Sequence, residues 1–126
     1  MIGNRIRVFA LGIASIAFLF AAPAHAAIFD GAWKMSLVTT NGHCGVISVD
    51  LAISGGNITA TAGKFVFRPI HIVGVVAGSG EAHMNGVAGP RKAEGAGRFT
   101  RSKGKGSWNG VGPSGVCSGY WIAVPS

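Results

Sequence analysis

Acidic residues are nearly missing from this chain. Its 126 residues include four Asp and Glu against eleven Lys and Arg, a formal net charge of +7. Asp30, Asp50, Glu81 and Glu94 lie far apart in sequence, which leaves little for a paired-carboxylate acid–base site. Cysteine is as scarce. Cys44 and Cys117 are too few for a four-cysteine zinc or iron–sulfur site. Beyond residue 26 only His43, His71 and His83 could serve as a base, and no Gly-x-Ser-x-Gly elbow precedes a helix. Gly78-Ser79-Gly80 and Gly104-Lys105-Gly106 lack the strand–loop–helix setting of a phosphate cradle. Helical periodicity is missing too, because glycine recurs too often and no apolar set repeats every three or four residues. The expectation is therefore a protein that is not an enzyme, with no catalytic residue, metal or cofactor.

One apolar run is present, Val8 to Ala22, too short for a comfortable membrane-spanning helix. It follows Arg5 and Arg7 and precedes Ala24-His25-Ala26, the small-x-small pattern of an export cleavage site. We therefore expect a Sec-type signal peptide over 1–26, cleaved after Ala26, and one domain over 27–126 in the periplasm or secreted. An uncleaved membrane anchor is the alternative. After cleavage no transmembrane segment is expected, and nine basic residues remain against four acids, a net charge of +5.

What the chain has in quantity is glycine, 21 residues, and period-two alternation. Trp33, Met35, Leu37 and Thr39 share one face of a first strand. After the Asn41-Gly42 turn signal, Ile47, Val49, Leu51 and Ile53 share one face of a second. Further strands fit Ile58–Ala62, Ile70–Val76, Glu81–Val87, Ala93–Thr100, Lys105–Gly110 and Cys117–Val124. The stretch Phe65–Pro69 is apolar without alternation, and Pro69 implies an edge or a break. Eight short strands with tight connections predict an all-β fold, a small up-and-down antiparallel barrel in which the last strand closes on the first. A two-sheet sandwich is the alternative.

With an even number of strands, Cys117 opens the last strand at the end of the barrel where the first one finishes, just before Cys44. Two cysteines in an exported chain point to a Cys44–Cys117 disulfide, worth about 4 kcal/mol on chain-entropy grounds. Two buried free thiols are the alternative. Glycines alternate with rings around Phe99, Trp108 and Trp121. Either Trp33, Trp108, Trp121 and Phe99 fill a tightly curled interior, or the glycines leave a cavity in which Trp33, Trp108 and Trp121 bind a small apolar ligand.

Six cations, Arg91, Lys92, Arg98, Arg101, Lys103 and Lys105, fall within fifteen residues, opposed only by Glu94. Such a patch would bind an anionic envelope polymer or headgroup through a salt-sensitive term; the plain alternative is a solubilising surface. Aromatic interleaving is too sparse for base stacking, so no specific nucleic acid is expected. His71 and His83 fall offset across a hairpin rather than opposite, which argues against a metal or haem site.

Phe29-Asp30-Gly31-Ala32-Trp33, Gly95-x-Gly97-Arg98-Phe99, Gly106-x-Trp108-x-Gly110 and Cys117-Ser118-Gly119-Tyr120-Trp121 together resemble a group of small secreted alphaproteobacterial β-barrel proteins of unassigned activity. The Gly31-x-Trp33 element also resembles the calycin signature of lipocalins and avidins. A weaker likeness is to the periplasmic inhibitors of bacterial metalloproteases, small barrels with one disulfide. That likeness implies a secreted protease as partner and an inserted N-terminal segment, here Ala27–Asp30. The functional expectation is an exported binding module, for an apolar ligand inside the barrel or an anionic envelope component outside it, with protease inhibition as the alternative.

Overall fold

A computed structural model describes residues 27–126. The expected leader and its cleavage site lie outside the described residues. Ten strands follow a short turn at Ala27–Phe29: β1 (Gly31–Asn41), β2 (Val46–Ser54), β3 (Asn57–Ala62), β4 (Lys64–Phe65), β5 (Arg68–Pro69), β6 (His71–Val76), β7 (Glu81–Ala88), β8 (Arg91–Phe99), β9 (Gly104–Gly112) and β10 (Gly115–Pro125). Eight of them form one closed antiparallel barrel in the order β1-β10-β9-β8-β7-β6-β3-β2. β4 and β5 pair only with each other. The closing pair runs from Trp33 opposite Pro125 to Thr39 opposite Gly119. That closed circuit removes both sheet edges and excludes the sandwich.

The alternation in the sequence sets which side chains fill the barrel. Trp33, Met35, Val49, Leu51, Ile53 and Ile58 point inward and are buried, while the residues between them are more exposed. Complete burial of each such side chain contributes about 1.5–3 kcal/mol before ordering costs. The strands run somewhat longer than the alternation alone implies, because glycines at their ends still pair in the ladder, as Gly112 does with Gly115. Besides register shifts at Thr39/Asn41 and Asp50/Leu51, the main irregularity is the Phe65–Pro69 break. It becomes a small hairpin between β3 and β6, and those two strands share only three register pairs, Asn57–Thr59 with Val73–Val75.

The two ends differ. One end, the floor, is solid. Phe99 meets Trp33 edge-on at 5.0 Å and 85°, Trp121 at 5.4 Å, and Phe29 at 6.3 Å between ring centroids. The opening motif builds this floor. Phe29 plugs it, the indole of Trp33 donates to the Phe29 carbonyl at 3.0 Å, and the Asp30 carboxylate accepts from the Gly55 amide at 2.9 Å in the β2–β3 turn. The other end, the mouth, holds the Cys44–Cys117 disulfide, with Cα atoms 6.2 Å apart and a sequence separation of 73. It ties the loop after β1 to the start of β10, as the strand parity requires.

Candidate functional site: the open half of the barrel

Above the floor the interior is hollow. A cavity of about 100 Å³ opens at the mouth. A smaller one of about 40 Å³ adjoins it below. The two share Leu37, Ile72, Gly86, Ala93 and Trp108. The cause lies in an imbalance of side-chain volume. On one wall, Leu37, Ile47, Val49 and Ile72 project inward; facing them, β7 to β9 present Gly86, Ala93, Gly110 and Gly112. Lower down, Gly97 and Gly104 on the same strands leave no void, because a ring occupies the space. A Cβ placed on Gly97 would stand 2.7 Å from the Trp121 ring, and one on Gly104 2.8 Å from the Phe99 ring.

The lining is apolar to the rim, where Arg91, Lys92 and Ser114 stand. The Arg91 guanidinium lies over the Phe65 ring, 5.4 Å from its centroid, so β4 and β8 meet at the edge of the opening. The volume is of the order of the ~150 Å³ apolar cavities that take up a small aromatic ring, and below the ~300–1,000 Å³ of drug-sized sites.

The three tryptophans occupy three different places. Trp108 lines both compartments; its indole N–H donates to the Val38 carbonyl at 3.2 Å, so the face it offers the cavity is purely apolar. Trp121 borders only the lower compartment, and Trp33 belongs to the floor. The six cations likewise separate. β8 carries Arg91 and Lys92 at the mouth and Arg98 at the floor end, roughly 23 Å along the strand from Arg91. Arg98 and Lys105 are cross-strand partners, with Arg101 and Lys103 in the connecting loop, all four exposed. Arg98 donates to the Ser79 carbonyl at 3.2 Å. One run of sequence thus becomes two surface clusters.

Among the described residues no group of three or more His, Cys, Asp or Glu is placed to hold a metal ion. His71 lies opposite Val87 and His83 opposite Val75, offset as expected, and His83 Nε2 sits 3.3 Å from a Glu81 carboxylate oxygen. The residues that sequence reasoning missed are those of the β4–β5 hairpin. Phe65 lines the cavity, and Arg68 lies against Gly89, where a Cβ would come within 3.0 Å of its side chain. The only signal was the apolar Phe65-Val66-Phe67 triplet ahead of Pro69.

No family model and no curated protein matches the chain. Among solved structures, a redesigned β-barrel is similar, with a TM-score of 0.55, 14% sequence identity, and coverage of 81% of this chain and 95% of that one. At that identity the likeness concerns the fold alone.

Proposed function

We propose that this chain is an exported, non-enzymatic binding module that takes a small apolar ligand into the open half of its barrel. The observation that carries the reading is the pair of adjoining, mainly apolar cavities between the mouth and Trp121, both walled by Trp108 and lying above a packed floor. A cup with one open end admits a ligand and holds it by area removed from water, with no covalent chemistry required. Arg91 and Lys92 at the rim suit a ligand whose exposed end is polar or anionic.

A second reading, binding of an anionic envelope polymer, draws on the floor-end cluster. Arg98, Arg101, Lys103 and Lys105 form no salt bridge among the described residues. The protease-inhibitor alternative needs Ala27–Asp30 to reach a protease cleft; in the barrel, Phe29 is buried and Asp30 is bonded to Gly55.

Native mass spectrometry of the protein as cells export it tests the cavity reading. The expected result is a discrete adduct that is lost on denaturation, and whose loss frees the site for a solvatochromic apolar probe. A bare native mass together with no probe uptake overturns the reading. The denatured mass separately reports cleavage after Ala26.

A further inference from the structure

We propose that the mouth of the barrel docks onto an anionic lipid surface, with the Val66–Phe67 tip entering the headgroup layer. The inference goes beyond the cavity reading and does not depend on what the cavity holds.

The tip is built against its own interest. Val66 and Phe67 have φ of +49° and +63°, and among the described residues they are the only non-glycine positions with positive φ. A two-residue hairpin turn with both φ positive favours Asn-Gly; a β-branched valine there is strained. Phe67 is also 95% exposed. Strain and exposure of a large ring at one turn mark a segment kept for contact with something else.

The surroundings of the tip extend the same character. A single outer row crosses four strands at the level of the mouth: Val87 pairs with Lys92, Lys92 with Val111, and Val111 with Val116. All four side chains are exposed, Val116 at 73%. An element lying at a membrane interface sinks about 5–10 Å, the span of two or three strand residues. The valine row therefore enters the interface together with the tip.

Charge selects the partner. Lys64 and Arg68 flank the tip, and Arg91 and Lys92 stand at the rim. Asp30 and Glu81 lie at the floor end and Asp50 pairs with Lys34 at mid-height; Glu94, two residues along the outer face from Lys92, is the acid nearest the rim, and among the described residues none of these four cations is in an ion pair. A second copy stacked mouth to mouth would set four cations against four, which disfavours self-association through this end. Apolar tip, apolar belt and four cations against one nearby acid complement anionic headgroups over acyl chains.

Co-sedimentation of the exported protein with vesicles of phosphatidylcholine, with and without 30% phosphatidylglycerol, tests this. Binding to the anionic vesicles is expected, with little to the neutral ones and a steep fall with salt. The double substitution Val66→Asn/Phe67→Gly supplies the residues the turn prefers, so the fold is retained, and vesicle binding should drop about tenfold or more with the loss of the ring. Lys64→Ala and Arg68→Ala should each cost about fivefold. Ala93→Phe, which fills the cavity, should leave vesicle binding intact, and Val66→Asn/Phe67→Gly should leave probe uptake intact, so that docking and cavity fail separately. Vesicle binding unchanged by the turn variant overturns the proposal. So does a concentration-dependent dimer that the turn variant abolishes, without vesicle binding.

Discussion

The indole N–H of Trp121 on β10 donates to the carbonyl of Ala96 on β8 at 3.3 Å, passing over Gly106 on the intervening strand. Trp108 on β9 does the same in the other direction, reaching Val38 of β1 over Gly119 of β10. In each case the glycine lies directly opposite the tryptophan in register. A side chain there would hold the indole away from the wall and leave a buried N–H without a partner. The Gly106-x-Trp108 and Gly119-x-Trp121 spacings in the last two strands are the sequence trace of this crossing.

Gly106→Ala is the direct test. A Cβ there would stand 2.7 Å from the Gly97 Cα and 2.6 Å from the Trp121 nitrogen, and the backbone atom cannot yield. The expected cost is at least about 1–3 kcal/mol, read as a lower denaturation midpoint. Gly95→Ala is the control, since its nearest atoms are 3.6 Å away. It should be neutral or stabilise by about 0.4–1 kcal/mol through the unfolded chain. Equal effects from the two would refute the crossing as the reason for glycine at 106.

The cavity makes a different demand on the tryptophans. Trp108 is the one that faces the main compartment, so probe or ligand uptake should shift the emission of Trp108 and disappear in Ala93→Phe. Trp33→Phe should leave uptake unchanged, since that ring packs on Phe99 in the floor. Uptake lost in Trp33→Phe at unchanged stability would place the ligand at the wrong end of the barrel.

Much of this architecture was legible because it follows from local rules. Period-two alternation marks the barrel strands, and strand parity alone puts Cys44 and Cys117 at one end, where the disulfide joins them. The division of the interior was not legible. Whether a glycine faces a ring or empty space depends on register between strands; Gly97 and Gly86 look alike in sequence, yet one lies under Trp121 and the other borders a void. The basic run misled for a related reason. Adjacency in sequence placed Arg91 beside Arg98, but an extended strand carries the two to opposite ends. The Phe65–Pro69 hairpin escaped because Val66 and Phe67 contradict the turn chemistry that would have revealed it.

The disulfide closes a loop spanning 73 residues of sequence separation at the open end, where no packed floor supplements it. Chain entropy assigns such a bridge about 4 kcal/mol, a large share of the ~5–15 kcal/mol typical of a domain. Cys44→Ser/Cys117→Ser should therefore lower the urea midpoint markedly. Reducing agent should lower that of the native protein to a similar value and leave the variant unmoved. A reductant effect on the variant would show that something other than this bridge is being read.

The floor motif closes the barrel from the N-terminal side, and its parts can be separated. Phe29→Ala removes a buried ring in contact with Phe99 and should cost about 3–5 kcal/mol. Asp30→Ala removes one exposed, charge-assisted bond to the Gly55 amide. The cost there is about 1 kcal/mol, with faster hydrogen exchange at Gly55. Asp30→Asn keeps an acceptor oxygen and should restore most of the protection, whereas unchanged exchange in Asp30→Ala would remove the latch. The same geometry bears on the protease-inhibitor reading. Deleting Ala27–Asp30 strips the plug and the latch together, so inhibition lost on deletion could reflect an unstable barrel. Asp30→Ala perturbs the segment while leaving Phe29 in place. Inhibition that survives Asp30→Ala but falls with Phe29→Ala in step with stability would mean that the segment serves the fold and not a protease cleft.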